Sequence, residues 1–307
     1  LDPEMDITAQ DKVVLTSAYS GAGKGKVQVD YPNLYQAVQP GEVILVDDGS
    51  LLLEVSEISG VDVVCRAQNS ILLKSGKGVH IPRPNYRSEM ISEWDQKLIT
   101  FASEREVDFL GASFVEAPAD VQAIRSLVNG SGPEIVVKIE TQQALENLPE
   151  LIEVADALMI DRGDLSVETR SENVALLQKR ILADANRTSC PVIIATEILE
   201  SMITSPAPTK AEISDITTSV LDQASALMLS AETAIGEYPV ETVTVMRRVA
   251  DAASEHLQAI RRSGNHAHVD TVPQMIGDAI ALICQNLAIT KIVAITISGY
   301  AARMVSS

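Results

Sequence analysis

Beyond Pro82 and Pro84 the chain repeats one pattern, a short apolar run followed by a longer amphipathic stretch. The apolar runs fall at residues 107–114, 135–140, 157–164, 192–198 and 226–232, with helical patterns such as 120–128 and 173–186 between them. A strand with one wet face alternates apolar and polar side chains. Ala157-Leu158-Met159-Ile160 does not alternate, so it reads as buried on both faces. Parallel strands joined by helical crossovers satisfy that demand, and the spacing predicts successive βα units.

The earlier part obeys a different rule. Residues 12–82 carry short apolar runs, among them Val13-Val14-Leu15, Val43-Ile44-Leu45-Val46 and Leu51-Leu52-Leu53. Turn residues separate them, and Asp47-Asp48-Gly49 predicts a hairpin because glycine takes a positive φ cheaply. This span reads as a small all-β module. At the other end, a helix is predicted over 240–262, a polar linker over 263–269, a helix over 272–287 and a strand over 291–297, with Ser298-Gly299 opening one more helix.

Composition narrows the function. Forty-two Asp and Glu against 24 Lys and Arg give a net charge of −18, with aromatics at 3 %. Nucleic-acid binding wants basic stripes and stacking rings, so it is not expected. An anionic ligand must be held locally, by a metal or a basic pocket. Three well-separated cysteines suit a reducing compartment, and no apolar run is long enough to span a bilayer. The acidic start reads as no signal peptide; a cytoplasmic location is expected, with an organelle after removal of a targeting segment as the alternative.

In a (β/α) barrel, polar residues at the carboxyl ends of the strands form the site. Here those ends offer Ser113, Lys138 with Glu140, Arg162 with Asp164, Thr196, and Ser230 with Glu232. Glu140 and Asp164 are the pair best suited to a hard divalent ion such as Mg²⁺. Lys138 lies two residues before Glu140, so in a strand both face the same way. An ammonium there can stabilise charge developing on a substrate oxygen, and the Thr196 hydroxyl can position a proton. Gly163 lets a carboxylate or phosphate approach the backbone. Against a metal stands the simpler pairing of each carboxylate with Lys138 or Arg162. Two other signals carry little. The segment from Gly21 to Lys26 lacks the first glycine and the Ser/Thr of a phosphate loop, and His266 and His268 sit in a polar linker without a third ligand nearby.

At these residues the chain resembles the pyruvate kinase family. The resemblance runs through Val137-Lys138-Ile139-Glu140, Arg162-Gly163-Asp164-Leu165 and residues 191–202, including Ala195-Thr196-Glu197. It continues through Pro208-Thr209-Lys210-Ala211-Glu212 and Met228-Leu229-Ser230-Ala231-Glu232, while Val46-Asp47-Asp48-Gly49 and Lys77-Gly78-Val79 resemble the family's lid. The resemblance implies an α/β fold, a (β/α)8 TIM barrel with an inserted small β-barrel lid and a carboxyl-terminal α/β domain. Lid residues would occupy 1–82, a partial barrel 83–262 and the start of the last domain 263–307.

The same resemblance implies phosphoryl transfer from phosphoenolpyruvate to ADP, giving pyruvate and ATP in glycolysis. Glu140 and Asp164 would ligate Mg²⁺ or Mn²⁺. Lys138 and Thr196 would act in catalysis, and with Gly163 and Asp164 would bind substrate. Lys77 would reach the nucleotide phosphates. The family also uses K⁺, whose usual ligands do not fall within this chain. Assembly is expected as a homo-oligomer, a tetramer in the family, or with another chain. No nucleic acid or membrane is expected as a partner.

Departures from the family keep other readings open. About five barrel strands are legible where eight are expected, and five parallel strands leave two unpaired edges. Asp161 stands where the family has a small residue, and a second carboxylate there would repel an anion or raise a pKa. Glu116, Ser166, Glu197 and the Arg87-Ser88-Glu89 segment also differ. A non-catalytic pyruvate kinase-like subunit, and a Mg²⁺-dependent keto-acid barrel lyase, are the alternatives.

Overall fold

The computed structural model describes residues 4–17, 25–31, 33–47, 49–81, 91–128, 132–262, 272–287, 289, 291–297 and 299–306. The segment 18–24, the tripeptide 87–89 and the histidines at 266 and 268, each singled out in the sequence, lie outside the described residues.

The amino-terminal part is all-β apart from one helical turn. It comprises β1 (Glu4–Ile7), β2 (Lys12–Thr16), β3 (Lys26–Gln28), α1 (Leu34–Ala37), β4 (Val43–Val46), β5 (Leu51–Ser59), β6 (Asp62–Ala67), β7 (Ile71–Lys74) and β8 (Val79–His80). Six strands form one sheet in the order β3-β2-β6-β5-β4-β8, and β1 pairs with β7 beside it. The hairpin expected at 47–49 joins β4 to β5, with Val46 opposite Leu51 and positive φ at Asp47 and Gly49. Ile7, Leu15, Leu34, Ile44, Leu51 and Leu53 close this module's core.

A capped helix, α2 (Glu93–Glu104), leads into the second part; Ser92 and Asp95 bond reciprocally at its start. The second part contains β9 (Phe109–Ala112), α3 (Pro118–Leu127), β10 (Glu134–Ile139), α4 (Gln142–Glu146), α5 (Leu148–Val154) and β11 (Ala157–Asp161). After these come α6 (Arg162–Glu168), α7 (Ser171–Arg187), β12 (Val192–Ala195), α8 (Lys210–Leu221), β13 (Ala226–Met228), α9 (Ala231–Ala234) and α10 (Pro239–Arg262). The five strands pair in parallel in the order β13-β12-β11-β10-β9. This is a partial TIM barrel, open at β9 and β13 among the described residues.

Strand parity divides the sheet's two faces. Ile135, Val137, Ile139, Leu158, Ile160, Val192 and Ile194 pack with helical side chains such as Leu148, Leu151, Ile181 and Leu182. Each fully buried Leu or Ile contributes about 1.5–3 kcal/mol. On the other face Val136, Ala157, Met159 and Ala195 form a separate apolar layer. The site grows out of that inner layer.

The strands end earlier than the apolar runs suggested. β11 stops at Asp161, and Arg162, Gly163 and Asp164 form the first turn of α6. Likewise β13 stops at Met228, and Glu232 belongs to α9. The two last helices are α11 (Val272–Asn286) and α12 (Tyr300–Ser306). Residues 291–297 form no strand among the described residues. No neighbouring strand pairs with them, and Ile295 and Ile297 stand 97 % and 107 % exposed.

Candidate active site

The inner face carries the site because the register forces it there. Val136 lies opposite Ala157 and Lys138 opposite Met159, so the next inward pair along β10 and β11 is Glu140 with Asp161. Val137 lies opposite Ala112, which sets Ser113 beside Lys138. Asp161 in turn lies opposite Ala195, next to Thr196. Four neighbouring strand ends, β9 to β12, thus deliver their polar residues to one point.

Glu140, Asp161 and Asp164 each offer a carboxylate oxygen, and these lie within 4.8 Å of one another. Glu140 is 0 % exposed. Its Oε2 accepts the Phe114 N–H at 2.8 Å. Its Oε1 is in direct contact with the Lys138 ammonium. Burial pushes the Glu140 carboxyl up to about 6, against the opposing pull of Lys138. Lys138 Nζ also lies 3.0 Å from Asp161 Oδ2 and donates to Ser113 Oγ at 3.1 Å. Burial works against the Lys138 ammonium, but the Glu140 and Asp161 carboxylates outweigh it and hold its pKa above the usual value.

Thr196 follows β12 in a left-handed turn, with φ of 65° at Thr196 and 52° at Glu197. Such φ values are costly for residues with a Cβ and persist only when neighbours enforce them. Arg162 does the enforcing. Its guanidinium donates to the Thr196 carbonyl at 3.1 and 2.8 Å, to the Glu197 carbonyl at 2.7 Å, and to Asp215 Oδ2 at 2.6 Å. Thr196 Oγ1 accepts the Gly163 N–H at 3.0 Å. The hydroxyl proton has the Ala195 carbonyl at 2.6 Å and Asp161 Oδ1 at 3.1 Å within reach.

Of the strand-end candidates, the structure therefore brings together Ser113, Lys138, Glu140, Gly163, Asp164 and Thr196. It takes two groups elsewhere. Arg162 braces the 196–197 turn and does not pair with Asp164. Glu232 accepts the Leu199 and Ser230 N–H groups at 3.0 and 2.8 Å, a buried brace between two loops. The Gly163 N–H, read as open to a ligand, is engaged by Thr196. Lys77 lies at the exit of the β module, 2.7 Å from Asp47 Oδ1. Sequence reading noted Asp161 only as an oddity. Its membership of the cluster was signalled by parity, since it is the third inward residue after Ala157 and Met159.

The donor set suits a hard divalent cation. All three groups are carboxylates, the chemistry Mg²⁺ and Mn²⁺ favour. Glu140 Oε1 is fully buried against the Lys138 ammonium, so a bound cation would share that oxygen with Lys138. Lys138 is shared by two of these carboxylates, Glu140 and Asp161, which leaves negative charge beside it of the sign a cation needs.

Comparison with known proteins bears on the family. Residues 2–243 match the family model described as pyruvate kinase, barrel domain. A pyruvate kinase of Bacillus licheniformis is 40 % identical over 288 residues, covering 92 % of this chain and 49 % of the relative. One from Clostridium acetobutylicum is 38 % identical over 288 residues, covering 92 % and 60 %. One from Geobacillus stearothermophilus is 36 % identical over 310 residues, covering 98 % and 53 %. The chain thus spans about half to three fifths of the length of these relatives.

Proposed function

Because the chain belongs to the pyruvate kinase family, we propose that its cluster at the inward strand ends transfers the phosphoryl group of phosphoenolpyruvate to ADP, giving pyruvate and ATP. The observation that carries this reading is the convergence of Lys138, Glu140, Asp164 and Thr196 on one face of the sheet.

Glu140 and Asp164 would hold Mg²⁺ or Mn²⁺, which when bound neutralises charge on the phosphoryl and enolate oxygens. The chain's own residues do the rest. Phosphoryl transfer demands positioning and charge stabilisation more than covalent help. The Lys138 ammonium, aimed by Ser113 and Asp161, stabilises negative charge on the transferring group and on the enolate it leaves. The Phe114 N–H fixes the Glu140 carboxylate. The enolate then takes a proton at its methylene carbon, where the Thr196 hydroxyl, held by the left-handed turn, orients the donor. Asp164, in the first turn of α6, binds substrate from its backbone; Gly163 contributes its N–H by exchanging its bond to Thr196. Lys77 reaches the nucleotide phosphates from the lid. Work within an oligomer belongs to the same reading, as it does for the family.

A coupled assay with phosphoenolpyruvate, ADP and Mg²⁺ tests the reading on the whole chain. Lys138→Met, Glu140→Ala and Asp164→Ala each lose at least about 100-fold in kcat with the fold retained. Unchanged rates in these variants contradict it. The second reading, a non-catalytic pyruvate kinase-like subunit, is favoured by the two carboxylates and one hydroxyl that already engage Lys138. It predicts a chain that binds the cation but shows no turnover.

A further inference from the structure

In the mechanism above Asp161 only aims Lys138, yet both its oxygens face residues that act on substrate. It is 7 % exposed. Oδ2 lies 3.0 Å from Lys138 Nζ, and Oδ1 lies 3.1 Å from Thr196 Oγ1. One carboxylate therefore spans the ammonium that stabilises charge and the hydroxyl that orients a proton. It also supplies a third oxygen to the set formed by Glu140 and Asp164.

The charge count gives this placement a direction. Ionised, Glu140 and Asp161 already outnumber the one Lys138 ammonium that both contact. At separations of a few ångströms in a mostly buried site, such an excess attracts a divalent cation and repels a polyanion. Asp161 also competes with an incoming phosphate for Lys138. A small side chain at this position would leave Lys138 with a single carboxylate contact, Glu140, and a freer reach toward the ligand.

We propose that Asp161 is a specificity-determining residue that tightens the site's hold on a divalent cation and bars the phosphorylated carboxylic acid until that cation is in place. The identity of the anion rests on the phosphoryl-transfer reading; the effect on the cation does not. Like-charge juxtaposition at a recognition surface works the same way, rejecting the wrong partner more than it strengthens the right one.

Calorimetric titration of the full chain tests this, with Mn²⁺ alone, phosphoenolpyruvate alone in chelator, and phosphoenolpyruvate at saturating Mn²⁺. The unsubstituted chain binds Mn²⁺ alone and takes phosphoenolpyruvate only when Mn²⁺ is present. Asp161→Asn keeps the shape and an acceptor for Thr196; Asp161→Ala removes both. Each variant binds Mn²⁺ about 10- to 100-fold more weakly and gains affinity for phosphoenolpyruvate in chelator. Mn²⁺ affinity within about twofold of the unsubstituted chain in both variants overturns the proposal. So does an unsubstituted chain that binds phosphoenolpyruvate equally with and without Mn²⁺, a result that needs no variant to fold. A chain that shows the Asp161-dependent binding yet never transfers a phosphoryl group defeats the kinase reading alone. A chain that turns over with Mn²⁺ affinity unaffected by either substitution defeats the Asp161 proposal alone.

Discussion

Glu140 should leave a measurable mark on how stability depends on pH. Its carboxyl is raised from 4.5 to about 6 by burial. Between those values the native state holds a proton that the unfolded chain releases. Stability therefore falls as pH rises through this window, and the loss is complete above pH 6. Each unit corresponds to about 1.36 kcal/mol, so the decline is about 2 kcal/mol. Urea unfolding of the metal-free chain between pH 4 and 8, beside Glu140→Gln, isolates the effect, because glutamine carries no titrating proton. The difference between the two proteins should shift by about 2 kcal/mol against the unsubstituted chain as pH rises from 4.5 to above 6. Saturating Mg²⁺ should abolish the decline, since a ligated carboxylate stays ionised throughout. A difference that stays flat with pH in the metal-free proteins would refute the claim that burial dominates at Glu140.

Other substitutions test the scaffold. Arg162→Met removes four hydrogen bonds from a buried guanidinium and should cost about 3 kcal/mol in urea unfolding, with kcat falling too because the Thr196 turn loses its brace. Gly236→Ala would place a Cβ 2.3 Å from the Glu232 carbonyl oxygen, so the backbone must shift; a loss of about 2–4 kcal/mol, read as a lower urea midpoint, is expected. Glu212→Ala breaks a capping box with Thr209 and two bonds from Ser201, and should lower stability by about 1–2 kcal/mol above pH 5.

Alternation is the part of this molecule most legible in its residues. Unbroken apolar runs announced a parallel sheet, and the two-residue spacing of Lys138 and Glu140 put both on one face. The same rule stopped being informative where strands stopped. Arg162 and Asp164 share a strand face only if β11 continues; once Asp161 ends it, helical geometry sends the guanidinium back toward the Thr196 carbonyl. That turn was not readable either. A threonine followed by a glutamate gives no hint of positive φ, because the conformation is imposed by Arg162 from another element. Glu232 looked like a site residue for the same reason that Glu140 did, since each follows an apolar run. Only three-dimensional packing shows that one faces its neighbours' carboxylates while the other satisfies loop N–H groups. The run at 291–297 has strand composition but no partner strand among the described residues, and composition alone does not make a strand.

The central claim is that Glu140, just past β10, and Asp164, in the first turn of α6, share one divalent cation. Crystals soaked in Mn²⁺ and measured for anomalous scattering answer it most directly. A single peak within coordination distance of oxygens from both residues is the predicted result. Glu140 and Asp164 without a shared peak, in crystals where Mn²⁺ is bound elsewhere or not at all, would contradict it.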